Sequence, residues 1–140
     1  MKEIKLDVIT PARAVFSGNV KSITLPGTLG NFQILYNHAP LMSSLEVGVA
    51  KILDSEDKTH IFSTSGGTVE VSNNKVIVLA ETFERPEDID VERAKEAKER
   101  AKLRISKKSK EEAVDLARAE VALKRAINRL KLSSKYNPNY

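Results

Sequence analysis

The stretch Glu84-Arg85-Pro86-Glu87-Asp88-Ile89-Asp90-Val91-Glu92-Arg93-Ala94 decides how this chain is read. Proline holds the residue before it in extended geometry. Asp88 or Asp90 then offers a side-chain oxygen to the free N–H groups of a helix start and meets the positive end of its dipole. Composition changes across this point. All six glycines stand at or before Gly67, and from Glu87 to Lys135 there is no Gly, Pro or aromatic residue. Charge changes with it: residues 1–84 hold 7 Lys/Arg against 9 Asp/Glu, and residues 85–140 hold 16 against 10. The whole basic excess of the chain therefore lies in its second part. Two regions of different architecture are expected, 1–85 and 86–140.

Upstream, short β-rich segments alternate with turn residues. Ile4, Leu6 and Val8 repeat at every second position, which predicts a half-buried strand. Further strands are predicted at 20–25, 32–35, 47–53, 60–64, 68–71 and 75–80. Pro11 and Gly18 interrupt early, Pro26-Gly27 reads as a turn dipeptide, and 54–58 is a polar loop. Asn73-Asn74 suits the positive φ values of a tight hairpin. Many short strands so spaced predict an antiparallel β-sandwich or barrel.

Downstream the period is helical. Ala94, Ala97, Ala101 and Ile105 form one narrow apolar stripe. A polar segment at 106–110 breaks it, and Ser109 with Glu112 makes a capping box for a second helix. There Leu116, Leu123 and Leu130 recur at seven, with Ala113, Ala119, Ala126 and Ile127 on the same face, and residues 133–140 read as a frayed tail. The short connection predicts an antiparallel two-helix hairpin. Alanine stripes bury little apolar area, so the hairpin is expected to be marginal and able to undock. Arg93 and Arg100 share a face of the first helix, as do Arg118, Arg125 and Arg129 of the second. These arginines either converge on an anion or form a solvated face laced with i,i+4 ion pairs.

Several chemistries are excluded or disfavoured. The 140 residues include no cysteine, which removes disulfides, thiolate metal sites and cysteine nucleophiles. The N-terminus has no signal-peptide core, and no apolar run approaches the ~18 residues of a membrane helix, so a soluble, cytoplasmic chain that meets a membrane through a partner is expected. His38 and His60 have no acidic cluster in sequence beside them and read as hydrogen-bonded or partner-facing residues. Ser65-Gly66-Gly67 lacks the Lys-Ser/Thr ending of a phosphate loop and reads instead as a close approach of strand backbones. No nucleophile–base–orienter set can be assembled, so a non-catalytic role is expected. Without aromatics on the helices there is no base-stacking platform for nucleic acid.

Four stretches, in order and over nearly the whole chain, resemble the epsilon subunit of bacterial F-type ATP synthases. They are Asp7-Val8-Ile9-Thr10-Pro11, the segment from Gly30 to Leu41 with Ile34-Leu35-Tyr36-Asn37-His38-Ala39-Pro40-Leu41, Ser65-Gly66-Gly67-Thr68-Val69-Glu70-Val71, and Ala122-Leu123-Lys124-Arg125-Ala126-Ile127-Asn128-Arg129-Leu130. The chain departs from the family pattern at Gln33, where Gly is usual, and at Tyr36 or Asn37, where Pro is.

The resemblance implies a non-catalytic central-stalk subunit on the cytoplasmic face of a bacterial membrane, coupling ion translocation to ATP synthesis. Its partners would be the gamma subunit and c-ring, with Asn31 facing the ring and His38 near the gamma-facing surface. The extended hairpin would reach the catalytic alpha/beta head and inhibit ATP hydrolysis. No cofactor is implied, but some members bind ATP as a regulatory ligand on the folded hairpin through an Ile/Leu-Asp-x-x-Arg-Ala motif. Ile89, Asp90, Arg93 and Ala94 match that motif, and Glu84, Arg100, Arg125 and Arg129 match family ATP contacts. A free-standing ATP-sensing protein is the alternative.

Overall fold

The computed structural model describes residues 2–106 and 113–137, the side chains of 113–115 excepted. The chain divides into two compact units, Met1–Arg85 and Pro86–Tyr140.

The first unit holds seven strands: β1 (Ile4–Ile9), β2 (Ala14–Gly27), β3 (Gly30–Leu35), β4 (Leu41–Asp54), β5 (Thr59–Ser72), β6 (Lys75–Ala80) and β7 (Phe83–Glu84). The order β1-β6-β5-β4-β2 returns to β1, because β1 also pairs with β2, so the β-sandwich closes like a barrel. β3 is attached to β2, and β7 to β5. Every pairing is antiparallel except β1 with β6. The interior follows the period of two. On β6, Val76, Val78 and Ala80 point inward, while Ile77 and Leu79 face out. Ile4, Leu6, Val8, Ile23, Ile34, Ile52 and Phe62 are fully buried around them. Each such side chain contributes about 2 kcal/mol relative to exposure.

Three strands are longer than expected, at 14 residues each, because they serve both layers of the sandwich. The segments 60–64 and 68–71 are one strand, bent at Gly66 and Gly67 with φ of 107° and 146°. A Cβ on Gly67 would lie 2.1 Å from the Leu79 carbonyl oxygen, so the close approach expected there is present. β2 runs through both Gly18 and Pro26-Gly27, and the reversal falls at Thr28-Leu29. The β2–β4 register shifts between Thr24 and Gly27, leaving Pro26 opposite no β4 residue, where a missing N–H costs no ladder bond. β4 begins at Leu41, six residues before the predicted start. Asn73 and Asn74, at φ 50° and 62°, make the β5–β6 hairpin turn.

The second unit opens with a 3-10 turn at Pro86–Asp88 and continues as α1 (Val91–Ser106) and α2 (Ala113–Tyr136). Ala94 and Ala101 are the buried residues of α1. On α2 the buried spine is Ala119, Ala126 and Ser133, joined by Leu132. Leu116, Leu123 and Leu130 flank this spine, half-buried, and Ile127 is exposed. The close contact thus belongs to the small residues, since only short side chains let two helix backbones approach. Ser109 and Glu112 lie outside the described residues. The end of α2 returns to the start of α1, where Asn137 Nδ2 donates to the Ile89 carbonyl at 3.5 Å, so the helices run antiparallel. The expected frayed tail is corrected here. Helix continues to Tyr136, and Leu132, Ser133 and Asn137 are buried, because the 7-residue spacing of small residues extends past Ala126.

Candidate functional site

The residues matching the nucleotide motif assemble at the N-terminus of α1. Asp90, not Asp88, is the cap: its Oδ1 accepts from the Arg93 backbone N–H at 3.0 Å, and its carbonyl accepts from Ala94 N–H at 3.0 Å. Ile89 and Ala94 are buried at 5% and 3% exposure, which anchors the cap to the hairpin interior. Arg93 between them is exposed, and Arg100 is exposed two turns further along α1. Arg125 and Arg129 are half-buried on the part of α2 that runs back beside the start of α1. Arg125 Nε is buried without a hydrogen-bond partner. Among the described residues, the ion pairs of α1 join Glu92 with Lys95 (3.7 Å) and Glu99 with Lys102 (4.0 Å), and leave Arg93 and Arg100 out. Glu84 belongs to the other unit, on β7, half-buried.

The two residues matched to partner contacts stand apart. Asn31 is exposed on β3 beside the β2–β3 turn, whose Leu29 is fully exposed. His38 follows the opposite end of β3, about 20 Å away for six extended residues. Its Nδ1 donates to the Ala39 carbonyl at 2.7 Å. Close by, the outer face of one layer exposes apolar residues among polar ones, with Glu70 between Met42 and Ile77. Met42 is 74% exposed and shares a cross-strand row with Ile77, while Leu79 pairs directly with Ile9. A groove of about 770 Å³ lined by Lys2, Lys21, Leu35, Tyr36 and Leu53 contains none of the predicted site residues.

One polar cluster escapes a reading of the sequence. His60 Nε2 donates to Asp54 Oδ2 at 2.7 Å, and Arg85 Nη1 donates to His60 Nδ1 at 3.4 Å, with the Arg85 Cζ 5.0 Å from the Phe62 ring centroid. Asp54 Oδ1 also accepts from the backbone of Glu56 and Lys58. The bond from His60, followed by that from Lys58, holds the Asp54 carboxyl below the usual carboxylate range. His60 therefore has an acidic partner, six residues away across a hairpin loop. Among the described residues no group of three or more His, Cys, Asp or Glu could hold a metal, and no helix is long and apolar enough to cross a membrane.

Both units match one family. The beta-sandwich domain of the ATP synthase delta/epsilon chain covers residues 3–86, and its long alpha-helix domain covers 87–134. An ATP synthase epsilon chain of Desulforamulus reducens is 45% identical, over 93% of this chain and 96% of its own. One from Nitratidesulfovibrio vulgaris is 44% identical, over 94% and 96%. In fold, a chain of the Euglena gracilis mitochondrial ATP synthase (OSCP/F1/c-ring) is similar at a TM-score of 0.76, 20% identity, and coverage of 90% and 78%. A chain of the Tetrahymena thermophila mitochondrial ATP synthase central stalk and c-ring gives 0.56 at 17%, over 94% and 93%. The chain belongs to the ATP synthase epsilon-chain family, a non-catalytic subunit of that complex.

Proposed function

We propose that this epsilon chain works as a rotor subunit that couples ion flow through the membrane sector to ATP synthesis, and that its hairpin brakes ATP hydrolysis. In this reading the outer face carrying Ile9, Met42, Ile77 and Leu79, with His38 at its rim, seats on the gamma subunit. The β2–β3 tip with Leu29 and Asn31 meets the c-ring at the cytoplasmic face of the membrane. Exposed apolar patches of this kind on a folded chain mark association surfaces.

ATP binds the folded hairpin and holds the brake off. The observation that carries this is the capped 89–94 turn, with Arg93 displayed beside it and Arg125 and Arg129 on the neighbouring stretch of α2. Guanidinium groups suit phosphate oxygens through paired, charge-assisted bonds. ATP favours the folded hairpin only to the extent that it binds that state more tightly than the extended one. The alanine interface keeps the gap between the states small.

The test is ATP hydrolysis by a catalytic head lacking its epsilon chain, with this chain added over a range of concentrations. Inhibition is expected, with relief by truncation after Pro86. Stable association with gamma but no inhibition would leave the coupling role and remove the brake. No association with gamma would remove both.

A further inference from the structure

The Ile89 carbonyl faces a bonding problem that the sequence does not announce. The first helical acceptor of α1 is the Asp90 carbonyl, taken by Ala94 N–H, so the Ile89 oxygen receives no helical amide. Ile89 is only 5% exposed, and a buried carbonyl must find a partner within the protein. Its partner is Asn137, 48 positions away, whose Nδ2 donates at 3.5 Å. Asn137 is itself 8% exposed, and its backbone N–H bonds the Ser133 carbonyl at 2.8 Å, continuing the last turn of α2. Pro86, Ile89, Leu132, Ser133 and Asn137 together form a buried closure at the open end of the hairpin.

We propose that Asn137 is a latch. Its amide keeps the end of α2 closed over the start of α1 and thereby positions the 89–94 turn. The latch couples the last turn of the chain to the nucleotide motif, and this second half rests on the ATP reading above. Opening the latch leaves the Ile89 carbonyl unpaired unless the turn is released to water, so the 89–94 turn loosens when α2 departs. Through the Ile89 carbonyl, Asn137 acts on the backbone that carries Arg93.

The experiment is hydrogen exchange by mass spectrometry on the full chain without nucleotide and at saturating ATP, with ATP titration calorimetry on the same samples. Asn137→Ala removes the amide. Asn137→Asp keeps its size but offers only acceptors to a carbonyl. Both are expected to raise exchange in residues 86–94 about tenfold and leave the sandwich peptides unchanged, which controls for folding. Asn137→Gln, which retains the donor, is expected to recover part of the protection. Only the latched population binds ATP, so affinity falls only as far as the opened fraction grows, and saturating ATP should suppress the added exchange in each variant. Unchanged exchange at 86–94 in both variants overturns the latch. Exchange at 86–94 that stays fast at saturating ATP overturns the coupling. If the unaltered chain binds no ATP, the nucleotide reading fails and exchange alone decides the latch.

Discussion

Asn37 and Asn74 bond each other twice across the rim of the sandwich. Asn74 Oδ1 accepts from the Asn37 backbone N–H at 2.6 Å, and Asn74 Nδ2 donates to Asn37 Oδ1 at 3.2 Å. Both residues hold φ at 62°, a left-handed conformation that asparagine tolerates. The pair ties the corner before His38 to the β5–β6 hairpin. Asn74→Gly keeps the backbone conformation available and deletes both bonds. It should lower stability by on the order of 1 kcal/mol, read from urea unfolding. In the proposed role it should also weaken association with gamma, since the corner is no longer held. An unaltered unfolding midpoint would show that the bonds are dispensable.

Thr64 is fully buried, and its Oγ1 has no hydrogen-bond partner. Ser65 beside it shares its hydroxyl with Thr82 at 2.7 Å, so the two neighbours differ in satisfaction. Thr64→Val is nearly isosteric and removes the unmet hydroxyl. It is expected to raise stability by about 1 kcal/mol. A loss of stability of that size in chemical denaturation would mean the hydroxyl is bonded after all.

Asp54 makes stability depend on acid. Its pKa is lowered in the folded state, first by His60. The contribution is therefore present above the unfolded-state value of about 4 and lost as pH falls through it toward the lower folded value. Asp54→Asn should destabilise the chain at neutral pH, and the difference from the unaltered chain should shrink on acidification below about pH 4. Unfolding midpoints measured from pH 2.5 to 7 check this. A gap that stays constant over the whole range would contradict it.

The arginine pair carries the nucleotide reading. Arg93→Ala combined with Arg125→Ala should weaken ATP binding at least tenfold in titration calorimetry, with circular dichroism reporting the hairpin intact. Each guanidinium bonded to phosphate is worth at least that much when desolvated. An unchanged titration would leave the two side chains without a role in binding ATP.

What could be read beforehand depended on how local the cause was. Val76, Val78 and Ala80 alternate with outward residues on a single short strand, so β6 was legible. The Asn73-Asn74 turn and the break at Pro86 were equally local. The start of β4 is not legible because Met42, Ser43 and Ser44 lack strand character of their own, and pairing with β5 holds them extended. Gly18 and Pro26 read as breaks because the partner strands that absorb them come from elsewhere. In the hairpin the helical period puts leucines and alanines on one face, and close approach of the helix backbones selects the alanines for the buried spine. Ile89, Asp90, Arg93 and Ala94 stand within six residues, so a local motif connects them. Asn137 on Ile89 and Arg85 on His60 join positions 48 and 25 apart, which no periodicity connects.

The pairing of Ile9 with Leu79 has a temporal consequence. It joins the first strand of the chain to the last strand of the ring, so the barrel has a seam that no shorter piece can close. A nascent chain that has not yet delivered β6 leaves β1 with one bare edge, and such non-local closure is slow. Synthesis from the N-terminus then sets an order: the sandwich can seal while residues beyond 86 are still being made, and the hairpin emerges last.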